Sequence, residues 1–354
     1  MNNFKSLDHY ILPSSLLLKI TKLYENIGLQ KSLELEIEEE LKKKLFDKTL
    51  ILDAYNLSTM LNLNISDSRK KQLLEKNNEP KNKEEKILIN LKNTLKIINK
   101  DVINFKLNAS ELINYVNMIY NDKIKYNETE FNEVENKIKH SYSVRFLINK
   151  EFDDYDEYLN NNLYEKTILT SIILSDIFNL SPLSKHNDAA LLIALYYLLR
   201  QIKINIVNFE SFFESMLKHY DTFLKSFNEG LINYQNGFLN PTKISENIID
   251  SLNELFDQFA VLVKDVKNKK NGNKQILIEQ TILKLPSIFT KDDIRLYHPE
   301  ASDTTIQRAL NHLKNENIIM PLGTGRNARW RKNIENLNEI DISKLLGEWD
   351  EPYF

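Results

Sequence analysis

The residues best suited to chemistry lie toward the C-terminal end. Between Ser302 and Asn315, Ile306, Ala309, Leu310 and Leu313 recur at helical spacing, which turns Thr304, Thr305, Gln307, Arg308, Asn311, His312 and Lys314 to the opposite face. That face combines a guanidinium fork, amides, hydroxyls and an ammonium. Arg308 can take a guanine edge with two bonds, and Thr304 or Thr305 can donate to a phosphate at the helix N-terminus. Just beyond, the run GTGRNARWRK offers Arg326, Arg329 and Arg331 for backbone phosphates or a minor groove, while Trp330 reads as a packing residue. A second cluster, Ser181, Pro182, Lys185, His186, Asn187 and Asp188, separates two apolar runs. His186 could serve there as a general base and Lys185 as a phosphate ligand. A turn at Ser181 and Pro182, with a helix cap at Asn187 or Asp188, explains the same residues without chemistry.

The elements that must carry the first cluster follow in a definite order. Ile276–Leu285 predicts a helix, Thr290 caps a short second one containing Ile294 and Leu296, and Ser302 caps a third over Asp303–Asn315. Ile318–Met320, a turn over Gly323–Asn327 and Ala328–Arg331 then predict a strand, a wing and a returning strand. This is the order of a winged helix-turn-helix, whose third helix enters the major groove. Such modules also serve purely as protein contacts. Charge favours an anionic partner: residues 267–333 hold 13 Lys and Arg against six Asp and Glu, a net of +7, so the rest of a chain with net charge −3 carries −10.

Composition narrows what the remainder can be. The absence of cysteine excludes disulfides, thiolate nucleophiles and thiolate metal sites, and six scattered histidines show no ligand spacing. Seven glycines in 354 residues argue against Gly-rich phosphate loops and for a mainly α fold. There is neither a long apolar run nor a signal-peptide start, so the expected location is cytoplasmic, without a membrane partner. Leu16, Ile20, Leu23 and Ile27 predict a first helix ending at Gly28, Leu33–Phe46 a second leading into Leu50–Leu63, and Ile87, Leu91, Leu95 and Ile98 another after the polar stretch Lys76–Lys86. Ser110 and Glu111 open a further helix through Ile119, and Ser143–Ile148 could be one arm of a small β-hairpin. The apolar stretch Leu163–Gln201 reads as helix, loop and buried helix, because Pro182 forbids a continuous one. Helices over Phe209–Phe227 and Ile244–Val266 follow, and then a linker, Lys267–Lys274.

In this order of segments the chain resembles the Fic family, AMP-transferring proteins of bacteria that often carry an N-terminal helical segment and a C-terminal winged helix. YILPSSLLLKITKLYENIG resembles the leading helices, TLILDAYNLSTM the inhibitory motif, and ILTSIILSDIFNLSPLSKHNDAALLIALYYLLRQ the central helix, phosphate loop and buried helix. The resemblance implies a Fic-like helical bundle with an N-terminal segment over 1–75 and a core over 76–266, then the linker 267–274, a winged helix over 275–333 and a tail over 334–354. The family's loop reads His-Pro-Phe-x-Asp/Glu-Gly-Asn-Gly/Lys-Arg-x-x-Arg; laid on Ser181–Leu192 it keeps only Pro182 and Asn187. The family's base then falls on Ser181, its metal-binding acid on Lys185, its glycines on His186 and Asp188, and its arginines on Ala189 and Leu192. In the inhibitory motif, Ser/Thr falls on Ile51 and Glu on Tyr55, with Asn56 kept. The expectation is a Fic-like protein without the catalytic motif that binds DNA as a regulator, with no cofactor and a homodimer as one arrangement. The alternatives are a divergent nucleotidyltransferase, which would need ATP and Mg, and a protein-binding adaptor in a toxin-antitoxin or defence system.

Overall fold

The computed structural model describes residues 3–76, 78–135, 138–232, 239–270, 274–299, 301–323 and 328–333. The chain divides into two compact units, Met1–Ala260 and Val261–Phe354.

The first unit is helical. After a short 3-10 turn, α1 (Ser14–Glu34) buries Leu16, Ile20 and Leu23. It does not stop at Gly28: no atom lies within 4 Å of a side chain placed there, and an exposed helical glycine costs only about 1 kcal/mol. The expected break instead falls at 35–38, before α2 (Glu39–Met60). Then come α3 (Asp67–Glu75), α4 (Lys83–Asp101) and α5 (Ala109–Tyr120); Asn82 and Asn108 cap the last two by accepting from the amides of Glu85 and Glu111. The four apolar positions expected inward on α4 are all buried.

The hairpin lies just before its expected position. β1 (Glu130–Glu135) pairs antiparallel with β2 (Ile138–Ser143), and Ser143 then caps α6 (Val144–Asn161) by accepting from the Phe146 amide. Val144, Leu147 and Ile148 are therefore the buried face of a helix and not a strand arm, because the capping serine switches the backbone to helix there.

At the centre are α7 (Lys166–Leu180) and α8 (Asn187–Gln201), which pack on each other, with α6 against α7 and α5 against α8. Both are apolar nearly all round, the composition of a helix enclosed by others. Hydroxyls inside α7 are satisfied on the helix itself: Thr170 and Ser171 donate to the carbonyls of Lys166 and Thr167, each at 2.9 Å. The helix expected over Phe209–Phe227 is broken into α9 (Phe212–Leu217) and α10 (Tyr220–Gly230), with Ser211 capping α9. Asp53 of α2 fixes where α9 starts: fully buried, it accepts from the Ser211 hydroxyl at 2.6 Å and the Phe213 amide at 3.1 Å. Finally α11 (Thr242–Lys270) lies along α1, joined by Lys19 to Asp250 at 2.5 Å and Asn26 to Asn253 at 2.9 Å. It continues through Lys267–Lys270, half of the expected linker, since nothing before Gly272 interrupts a helix there.

The second unit contains α12 (Lys274–Lys284), β3 (Ile288–Thr290), α13 (Lys291–Tyr297), α14 (Asp303–Asn315), β4 (Ile319–Pro321) and β5 (Arg329–Lys332). The strands form an antiparallel sheet in the order β3-β5-β4. Its core joins Ile278 and Ile282 of α12, Ile294 of α13, Ile306, Leu310 and Leu313 of α14, and Phe289 and Trp330 of the sheet. At α13 a capping box forms as the Asp293 amide donates to the Thr290 hydroxyl and the Thr290 amide to the Asp293 carboxylate at 2.8 Å. Thr290→Ala should cost ~1 kcal/mol locally, read as roughly fivefold faster amide hydrogen exchange in α13; unchanged exchange would mean that the cap contributes nothing.

Candidate functional site

The expected reader helix, α14, starts at Ser302, whose hydroxyl accepts from the Thr305 amide and lies 2.8 Å from the hydroxyls of both Thr304 and Thr305. These two threonines are therefore already engaged in the cap. Gln307 accepts from the Lys291 ammonium at 2.6 Å and donates to Asn311 at 2.9 Å, which ties the second helix to the third. His312 turns toward α12, with Nδ1 3.1 Å from a Glu279 carboxylate that is itself mostly buried. Burial raises the Glu279 carboxyl pKa above its ordinary value, and the Gln275 amide and His312 oppose that shift. Arg308 and Lys314 remain exposed, and neither makes an ion pair among the described residues.

Strand alternation settles the basic residues of β5. Arg329 and Arg331 face solvent, while Trp330 and Lys332 face inward, one period apart. Trp330 pairs across the sheet with Phe289 and Pro321 and is 5% exposed, so its packing role agrees with the sequence reading. Lys332 carries an unexpected contact: its ammonium donates to the carbonyls of Leu283 at 2.6 Å and Leu285, closing the C-terminal end of α12. Burial lowers its pKa. Arg326 lies outside the described residues.

The second cluster joins α7 to α8. Ser181 and His186 both adopt left-handed backbone, at φ 44° and 62°, so the chain leaves one helix and enters the next through two strained corners. Between them the segment is stitched to residues 125–127: the Asn127 amide donates to the Pro182 carbonyl and the Ser184 amide to the Lys125 carbonyl, each at 2.9 Å. Lys185 pairs with Asp122 at 2.5 Å, and this bond holds the Asp122 carboxyl below the ordinary carboxylate range. The His186 ring stacks on Tyr120 with centroids 3.6 Å apart, and burial lowers its pKa, so it is neutral at pH 7. Asn187 does not cap α8. Its amide group instead clasps the backbone of Leu183 from both sides, accepting from N–H at 2.9 Å and donating to C=O at 2.8 Å. The cap position falls on His186, whose side chain makes no cap bond, and Asp188 accepts only from the adjacent Ala189 amide. Ala189 and Leu192 are fully buried in the core. Among the described residues no group of three or more His, Asp or Glu side chains is placed to hold a metal ion, and no helix is long and apolar enough to cross a membrane.

At the expected inhibitory segment, Tyr55 lies beneath the Lys70 ammonium, 4.9 Å from the ring centroid, and Asn56 donates within α2 to the Leu52 carbonyl at 2.8 Å. Neither the Tyr120–His186 stack nor the Lys332 contact has a local sequence signal, because each joins elements distant in the chain.

No family model and no curated protein matches this chain. Solved structures do. A Fic family protein from Desulfovibrio desulfuricans G20 aligns over 92% of this chain and 98% of its own at TM-score 0.53 and 12% identity. A Fic domain containing signaling protein from Bacteroides thetaiotaomicron VPI-5482 aligns over 70% of this chain and 98% of its own at TM-score 0.55 and 12% identity. Fic-1 from C. elegans aligns over 71% and 74% at TM-score 0.52 and 9% identity. At such identities the likeness is one of fold: this mainly helical chain is built on the fold of the Fic-family proteins.

Proposed function

We propose that this protein is a Fic-like scaffold without transferase chemistry, and that its C-terminal unit is a winged helix that binds DNA as a regulator. The exposed basic set carries the reading. Arg308 and Lys314 on α14 and Arg329 and Arg331 on β5 remain open to solvent, while Asp292 and Asp303 of the same unit are held by Arg295.

The loop between α7 and α8 supports the first half of the proposal. A Mg-nucleotide does not fit its donor set: Lys185 stands where the resemblance places an acid, and apolar Ala189 and Leu192 stand where it places arginines. His186 is committed to its stack, and the Ser181 hydroxyl donates to the Phe178 carbonyl, which is not a base able to take its proton.

The test is to sequence what the full chain retains from sheared genomic DNA at near-physiological salt. One enriched motif is expected. Arg308→Ala should then relax discrimination at one base pair by about 1–3 kcal/mol, whereas Arg329→Ala should weaken binding to all sequences and reduce the salt slope by about one. Unchanged slopes would count against the proposal. A second reading, an adaptor that contacts protein, is favoured by Leu296 and Tyr297 on α13, which are 80% and 66% exposed. Absence of any enriched DNA would favour it.

A further inference from the structure

A cavity of about 250 Å³ opens in the first unit, between α1, the start of α7 and the residues that follow α8. Leu23, Ile27, Ile202 and Ile204 make the apolar part of its wall, and Gln30, Glu34, Thr167 and Asn205 a polar part. Three lysines also line it, each from a different element: Lys31 near the end of α1, Lys166 at the start of α7 and Lys203 in the turn after α8. Lys31 and Lys203 are exposed and Lys166 half-buried, and among the described residues none makes an ion pair.

Two carboxylates, Glu34 in the lining and Glu165 beside it, accept from neutral donors. Glu165 accepts from the Tyr24 hydroxyl at 3.1 Å, the Thr167 hydroxyl at 2.5 Å and the Ile168 amide at 2.9 Å. Glu34 accepts from the Gln30 amide. Three lysines thus line one opening beside the single lining carboxylate of Glu34, and among the described residues no acid is bound to any of them. Ammonium is a point-charge donor suited to phosphate, and the apolar wall and the Tyr24 ring behind it suit a small organic body.

We infer that this cavity binds a small phosphorylated molecule, with Lys31, Lys166 and Lys203 gripping the phosphoryl oxygens and the apolar wall holding what they are attached to. The site is separate from the α7–α8 loop and does not depend on DNA binding. Lys203 offers a clean probe, because it sits at φ 66°, where glycine is at least as comfortable. Lys203→Gly removes a charge without straining the turn.

Inorganic pyrophosphate and ADP, each titrated into the full chain by calorimetry, test the inference. Both should bind, about tenfold more weakly to Lys203→Gly, with affinity lost in Ile27→Trp, which fills the cavity and leaves every lysine. The exposed pair Lys71→Gln and Lys86→Gln should change nothing. Absence of binding, equal affinity in Lys203→Gly, or binding that survives Ile27→Trp would each overturn the assignment, the last by showing that only surface charge attracts the anion.

Discussion

Trp330→Ala is expected to unfold the C-terminal unit, at a cost of about 3–5 kcal/mol. Trp330 is the largest side chain in that unit's core, paired with Phe289 across the sheet and in one buried cluster with residues of α12 and α14. The unit is small, so this one cavity removes a large share of its stability. The expected readout is loss of dispersed amide resonances from residues 274–333 while those of the first unit persist. Trp330→Phe separates the ring from its polar group. The indole N–H is buried without a hydrogen-bond partner among the described residues, so phenylalanine keeps most of the packing and removes an unpaired donor. It should stay folded within about 1.5 kcal/mol of the wild type. If Trp330→Ala melts like the parent, the sheet of this unit is not anchored through this residue.

The second large effect concerns Glu151 on α6. It is 2% exposed, and burial, reinforced by the charge of Asp176 on α7 and by Asp154, pushes its carboxyl up to about 9, against a weak opposing pull from Lys150. In the unfolded chain a glutamate ionises near the ordinary value of 4.5. Below that pH both states hold the proton and stability is complete. As pH rises from there toward 9, the unfolded chain releases its proton while the folded one keeps it, so stability falls across this window. Glu151→Gln keeps the shape of the protonated acid and removes the titration. The variant should melt more than about 3 °C above wild type at pH 8 and together with it at pH 4.5. Equal melting at pH 8 would mean that Glu151 reaches solvent or a cation in the folded state.

Much of the architecture was legible because its signals are local. The inward positions of α4 and α14, the caps at Thr290 and Ser302 and the break at Pro182 all follow from residues within one or two turns of each other. Trp330 reads as a packing residue from its type, and the strand alternation of the structure places it inside and its arginine neighbours outside. The strand β3 escaped that reading: three residues carry no period, and only pairing with β5, forty residues on, makes Ile288–Thr290 a strand. Asp53 likewise sets the start of α9 inside the helix expected over Phe209–Phe227, from 160 residues away.

The same division holds for the sites. Sequence alone determined which residues are available: basic side chains on one face of α14 and along β5, and a loop poor in the groups that transfer phosphate needs. Tertiary structure decided which of them are already spent. Thr304, Thr305, Gln307 and His312 are drawn into caps and helix-to-helix bonds, His186 into a stack and Lys185 into an ion pair, while Arg308, Lys314, Arg329 and Arg331 stay exposed. It also brought Lys31, Lys166 and Lys203 to one cavity from positions up to 172 residues apart. The physical reason is common to all of these. Periodicity and capping act over a few residues and are written in the chain, whereas a partner's distance depends on how the helices pack, and packing is a property of the whole fold.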